Sequence, residues 1–375
     1  MDNIELKKDL IYKQLKKDIL SEKHQYPFKL PKEIDLSKKL GVAQVTLRSA
    51  LKRLEEEGLV ARIPSKGTFV LDPKSNGEPG LVSGNILVVT SHLENFESPN
   101  QYILPGVESE ATVLNFKTVK VDYEYIEAVK ENDVFGVMED NGIVGIIALM
   151  NTFCGNEPFL KVLQKSGKPV VLPHATRDDS AITGFATIRT PENEAWLDAI
   201  KHLCDQGHER IATLTSSGID NQFRGLTFAE HCAALEKFGG QVDEKLIKES
   251  DYDPEKIEKV LEGWLELSAP PTAIICYSDF FALHAYKTLG KNQIRIPDDI
   301  AVMGCCGYPG GRFLSPALST VDFEYEKRGR MAVNIIAKAP EWFAPDKKIA
   351  TPCVIHPHQL RKNGSTDIVR IEGKL

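Results

Sequence analysis

GVAQVTLRSALKRLEEEGLVARIPSKGTFV, residues 41–70, decides how the first part of this chain folds. Leu47, Ala50, Leu51 and Leu54 fall within one stripe of a helix running from about Gln44 to Glu57, the width that a buried helix face needs. Val45, Ser49, Lys52 and Glu56 lie opposite, with Arg48 flanking them. Gly58 stops the helix. LVARI and GTFVL then read as two short strands joined through Pro64, Ser65, Lys66 and Gly67. A glycine at such a tip removes side-chain bulk, so the backbone can come close to a phosphate or a groove. A helix that hides leucines and shows polar groups near its N-terminal end is what a major-groove reader requires. The stretch is therefore read as the second half of a winged helix-turn-helix.

Upstream, Ile11, Leu15 and Ile19 recur at every fourth position among lysines, which predicts an amphipathic first helix. HQYPFKLP breaks it, because each proline disfavours helix in the residue before it. A second helix starts at about Lys32, where Pro31 suits the beginning. Leu36 and Leu40 share its inner face, and Gly41 stands where a helix ends.

Charge divides the chain at the same place. The net charge is −7, but residues 1–73 hold 15 Lys and Arg against 11 Asp and Glu, and the remainder holds 31 against 42. A small basic module on a large acidic one fits a nucleic-acid reader attached to a regulator. Seven cysteines form no CxxC pair, and the N-terminus MDNIELKKDLIYK lacks the apolar run of a signal peptide. These features predict reduced thiols in the cytoplasm. No apolar run is long enough to span a membrane. No metal-ligand spacing or cofactor fingerprint stands out, and GxSxG, Walker A, GxGxxG and HExxH are absent, so neither a metal nor a cofactor nor an enzyme is expected.

LDPKSNGEPGLVSG, residues 71–84, has two prolines, three glycines and no periodicity, and reads as a linker. After it, NILVVTS, FKTVKVD, GIVGIIALM, KPVVLPHA, GFATIRT, RIATLTS, TAIICYS and IAVMGCC alternate with helical stretches. Continuous runs such as IIALM and AIIC suit strands buried on both faces of a parallel sheet. The pattern predicts two successive α/β lobes of about four strands each, with a ligand crevice beyond the carboxyl ends of the strands. The organisation is thus multidomain: a winged helix-turn-helix (α+β) at 1–71, a linker at 72–84, a two-lobed α/β periplasmic-binding-protein-like domain at 85–366, and a tail at 367–375.

Two resemblances sharpen this. LPKEIDLSKKLGVAQVTLRSALKRLEEEGLVARIPSKGTFV is similar to the winged-helix domain of the GntR family of bacterial repressors. That resemblance implies DNA contacts from Gln44, Val45, Thr46, Arg48, Lys52, Lys32, Lys66 and Gly67. Thr46 and Arg48 match the family pattern. Ala43-Gln44 replaces its Ser-Arg, Ile34 its second Arg, and Lys32 its Ser, so the operator sequence is expected to differ. Glutamine can read adenine bidentately.

HLCDQGHERIATLT, NQFRGLTFAEHCAALEKFG, PTAIICYSDFFALHAYKTLG with IRIPDDIAVMG, and LSPALSTVDFEYEKRGRMA resemble the sensor domain of the LacI/GalR family, strongly from 200 to 325. A GntR-type reader followed by a LacI-type sensor resembles arabinose-repressor-type regulators. The resemblance implies a homodimer on double-stranded operator DNA and a small-molecule effector, a sugar or sugar derivative. It places Arg224 and Asp279 on that effector, with Phe280 beside them, and Asp279 could equally cap a helix. Cys306 stands where the family has an aspartate, and a thiol cannot hold two hydroxyls as a carboxylate does. In the first lobe, His92, Phe96, Asn151 and His174, together with Ser91, Asn95 and Asp122, fall where crevice residues should. Two other readings stay open: a DNA-binding regulator whose crevice has degenerated, for which Cys306 speaks, and an α/β enzyme with a DNA-binding appendage.

Overall fold

The computed structural model describes residues 7–20, 28–57, 59–63, 67–70, 84–91, 97–217, 223–343 and 349–367. The first domain has helices α1 (Lys7–Leu20), α2 (Glu33–Lys39) and α3 (Gln44–Glu56), with strands β1 (Phe28–Lys29), β2 (Val60–Ile63) and β3 (Gly67–Val70). The strands form one antiparallel sheet in the order β1-β3-β2. Ile11, Leu15, Ile19, Leu36, Leu47, Ala50, Leu51 and Leu54 meet in a single core with Val60 and Val70. The heptad-like spacing therefore does select the buried face of each helix. Gly41 has φ +65°, the left-handed conformation that lets the chain leave α2 and enter α3.

Two six-stranded sheets follow. With β4 (Asn85–Thr90), β5 (Lys117–Asp122), β6 (Ile143–Ala148), β7 (Val170–Leu172), β8 (Ala186–Arg189), β9 (Ile211–Ser216), β10 (Ile247–Ser250), β11 (Ala273–Cys276), β12 (Ala301–Cys306), β13 (Ser319–Asp322), β14 (Cys353–Ile355) and β15 (Gln359–Arg361), the orders are β14-β8-β7-β6-β4-β5 and β10-β9-β11-β12-β13-β15. Every pair is parallel except β13 with β15. The all-apolar runs become central strands: every residue of β11 and of β12 is buried. KTVKVD is more polar because β5 is an edge of its sheet, and Lys117, Lys120 and Asp122 are exposed.

The lobes differ from the expectation in one respect. They are interleaved, not successive, and each has six strands where about four were expected. The chain crosses from the first lobe to the second after β8, returns after β13, and crosses again after β14. The helix Tyr325–Ala337 consequently packs on the first lobe, against α4 (Asn100–Val113) and against β6, β7 and β8. Gly106 and Gly329 allow that contact: a Cβ on Gly106 would lie 1.8 Å from the Glu326 carbonyl oxygen, and one on Gly329 2.2 Å from that of Ile103.

The crossings are bound to one another. His356 N–H donates to the Arg189 carbonyl, Thr190 Oγ1 to the His356 carbonyl, and His356 Nε2 lies 2.9 Å from Glu324 Oε2. Arg328, fully buried, donates to Thr190 Oγ1 and to His174 Nδ1. No helix among the described residues is long and apolar enough to cross a membrane.

Candidate functional site

The exposed face of α3 is polar at its start. Gln44, Val45, Arg48 and Lys52 are exposed, Thr46 is half-buried, and Lys32 is exposed at the head of α2. Val45 is 77% exposed and Ile34 53%, two apolar side chains in water beside the first turn of α3. That turn carries no carboxylate, and Ala43 offers no side-chain cap. The positive end of the helix dipole is thus uncompensated and favours an anion. Arg48 Nε pairs with Glu33 Oε2 at 2.7 Å, an exposed bridge that orients the guanidinium across the two helices. Lys66 lies outside the described residues, and Gly67 opens β3.

The second cluster lies beyond the carboxyl ends of the strands, between the lobes. Arg224 is its centre and is 5% exposed. Its guanidinium stacks on the Tyr277 ring at 3.8 Å and lies 5.3 Å from the Phe323 ring. It donates to Glu192 Oε2 (3.0 Å), to the Tyr277 carbonyl (2.6 Å) and to Cys306 Sγ (3.1 Å). Burial disfavours the Glu192 carboxylate, but the charge and hydrogen bond of Arg224, with the Arg328 charge, outweigh it and hold the carboxyl below its ordinary value. Burial also opposes a thiolate at Cys306. Hydrogen bonding with Cys305 and the Arg224 charge outweigh burial and draw the Cys306 thiol down, while Cys305 is pushed up.

Asp279 is the first residue of the helix Asp279–Lys291 and does not cap it. Its Oδ1 accepts from Thr320 Oγ1 at 2.6 Å and its Oδ2 from Tyr308 N–H at 2.5 Å. Burial, with Cys306 nearby, raises this carboxyl well above the usual range, and the two hydrogen bonds offset that only in part. Asp279 thus fixes the turn after β12 that carries Tyr308. Phe280 is half-buried and packs on Tyr252 and His284, with ring centres 5.9 and 4.7 Å away.

Tyr308 spans the crevice. Its ring stacks on Tyr102 of the first lobe at 4.2 Å, and its hydroxyl donates to the Glu97 carbonyl at 2.7 Å. Tyr325 flanks it at 6.0 Å. His174 lies edge-on to Tyr325 at 5.4 Å. Burial and the neighbouring Arg328 charge push its imidazole down to about 3. Because Arg328 donates to Nδ1, the neutral ring carries its proton on Nε2.

The other first-lobe expectations fare unevenly. Asn151 is exposed on the loop after β6. Asp122 caps the next helix through Glu124 N–H, and Ser91 is engaged by Asn100 and the Leu149 carbonyl. His92, Asn95 and Phe96 lie outside the described residues. Sequence reasoning missed Glu192, Tyr277, Tyr308, Tyr102, Phe323 and Arg328. It also missed Asp179, fully buried, whose carboxylate accepts from the N–H groups of Thr152, Phe153 and Thr176 and so holds the loops after β6 and β7. Only the placement of Tyr277 directly after the apolar run AIIC could have signalled one of them.

Residues 7–70 match the family of bacterial regulatory proteins, gntR family, and residues 200–366 match the periplasmic-binding-protein-like domain. The chain joins a GntR-family helix-turn-helix domain to a periplasmic-binding-protein-like domain. The HTH-type transcriptional repressor PurR of Photobacterium profundum is 22% identical over 80% of this chain and 90% of its own. PurR of Actinobacillus pleuropneumoniae is 31% identical over 37% of this chain, which there spans 41% of the relative. Among solved structures, a LacI-family transcriptional regulator from Enterococcus faecium with bound ribose matches with a TM-score of 0.59 at 16% identity, covering 75% of this chain and 98% of its own. This likeness extends the LacI-type fold to the first lobe, which the domain match beginning at residue 200 does not reach.

Proposed function

We propose that this chain is a ligand-responsive transcriptional repressor, an operator-binding homodimer whose DNA affinity is set by a small molecule in the inter-lobe crevice. The observation that carries this reading is the Tyr308 contact: a second-lobe residue, fixed by Asp279, reaches Tyr102 and Glu97 of the first lobe. A ligand that changes this bridge changes the angle between lobes. In a dimer that angle sets the distance between two copies of α3, and two-fold proteins read half-sites at fixed spacing. The ligand acts only through its differential affinity for the two arrangements. Gln44, Val45, Thr46 and Arg48 are assigned to base edges. Lys32, Lys52, Lys66 and the backbone at Gly67 are assigned to phosphates. The ligand contacts assigned are Arg224, Phe280, Cys306, Asn151 and His174, together with His92 and Phe96 from the sequence that follows β4, while Asp279 serves through the turn it fixes.

The test is a gel-shift titration of the full chain on DNA from its own upstream region, with and without a metabolite library including sugars. A compound that changes operator affinity in the wild type but not in Arg224→Ala supports the sensor. Operator binding that no compound changes favours the degenerate crevice, and turnover of a bound compound favours an enzyme.

A further inference from the structure

Three buried polar atoms in the crevice have no hydrogen-bond partner among the described residues: the Tyr325 hydroxyl, Arg224 Nε and Arg328 Nε. Tyr325 is 4% exposed and Arg328 0%. An unpaired buried donor costs stability, so three in one place ask for a common cause. They gather round two rings. The Arg328 guanidinium lies 5.8 Å from the Phe323 ring and 5.2 Å from that of Tyr325, and Arg224 approaches the same Phe323.

The polarity of these groups is one-sided. Both Nε–H groups are donors only, the hydroxyl can donate, and His174 presents a further donor at Nε2. Among the described residues, Glu192 is the carboxylate that faces them. Both oxygens of Asp279 are already occupied, and Glu192 is engaged by Arg224. Two guanidinium charges face the single Glu192 carboxylate. The Cys306 thiol, drawn down beside Arg224, offsets only part of that surplus. The walls are flat, with Tyr102 and Tyr308 stacked and Tyr325 beside them.

A neutral sugar brings as many donors as acceptors to groups that are donors, whereas a carboxylate brings acceptors alone. We infer that the effector is a planar, acceptor-rich monoanion, an aromatic or heteroaromatic carboxylate, and not a neutral sugar. This rests on the reading of the crevice as the effector site. The carboxylate takes the Tyr325 hydroxyl and the guanidinium donors and cancels the surplus positive charge. The ring lies against the tyrosines.

Isothermal titration calorimetry on the full chain separates the possibilities. The probes are nicotinate and orotate as planar acids, cyclohexanecarboxylate as a non-planar acid of equal charge, and ribose and cellobiose as neutral sugars. A planar acid saturates the protein, and cyclohexanecarboxylate binds roughly tenfold more weakly or not at all. Tyr325→Phe weakens the planar acid by roughly tenfold. It leaves the ligand-free melting temperature unchanged or higher, since it removes a hydroxyl that has no partner. Arg224→Gln abolishes binding. A sugar that saturates while the acids do not overturns this inference and leaves the crevice as the effector site. Equal affinity for planar and non-planar acids overturns it too, as does planar-acid binding untouched in both variants. If neither panel binds, the inference falls. If the metabolite library also leaves operator affinity unmoved, the sensor reading falls with it.

Discussion

Arg224 and Cys306 meet at 3.1 Å, and both sit in left-handed backbone, with φ +54° and +105°. Neither is a glycine, so each conformation costs on the order of 1–3 kcal/mol and persists only because its surroundings enforce it. Two such residues in contact mark the point where the crevice is held most tightly. Their pairing gives the first prediction. Cys306→Ala removes a partner from a buried guanidinium and destabilises the protein by about 2 kcal/mol at pH 8 in urea denaturation. The folded thiol lies below its unfolded value, so its contribution is present above the unfolded pKa and lost as pH falls through the folded one. The difference between wild type and variant should therefore shrink toward pH 5; an unchanged difference would show that no thiolate is involved.

Arg48→Ala should abolish footprinting on the operator. The Arg48–Glu33 bridge is exposed, so stability should change by less than about 0.5 kcal/mol. Effector binding by calorimetry should be unaltered. A footprint that survives would remove α3 from the DNA interface.

Gly106→Ala puts a methyl group 1.8 Å from the Glu326 carbonyl oxygen, a backbone atom that cannot swing aside. The helices must separate, at a cost of about 3 kcal/mol or more. Gly263→Ala, with open space around it, is the control and should change little. Chemical denaturation monitored by tryptophan fluorescence checks both.

His231 is fully buried, with Trp196 Nε1 donating to its Nδ1 at 3.2 Å and Thr213 Oγ1 3.1 Å from its Nε2. Burial lowers its imidazole to about 4. Between that value and about 6.5 the unfolded chain binds a proton that the folded chain refuses, so stability falls as pH drops through this window. The loss amounts to about 3 kcal/mol at completion. Melting curves should show it, and His231→Gln should flatten the slope over the same range; His174, lowered to about 3, contributes a similar slope of its own.

Much of the fold was legible because burial writes itself into spacing. The leucine stripe of α3 and the unbroken apolar runs of β11 and β12 named their own environments. Lobe membership was not legible. CVI at β14 is three residues long with two of them exposed, so no apolar run announced a sixth strand for the first sheet. The helix Tyr325–Ala337 shows which face it buries but not which sheet it buries it against. At the crevice, motif matching found Arg224 and Asp279, yet the Asp279 carboxylate turns inward because the N–H of Tyr308 and the hydroxyl of Thr320 converge on it. The Tyr102–Tyr308 stack joins residues from different lobes, and only the folded topology brings them together.

The threefold crossing between lobes has a consequence for synthesis. The DNA-binding head is complete once β3 (Gly67–Val70) has emerged, whereas the first lobe waits for β14 (Cys353–Ile355) from near the far end of the chain. A ribosome therefore makes the head early and the regulator late. A message interrupted in between would yield a protein with its reading helix formed and neither half of its sensor able to close, so premature termination is expected to uncouple DNA binding from control before it abolishes it.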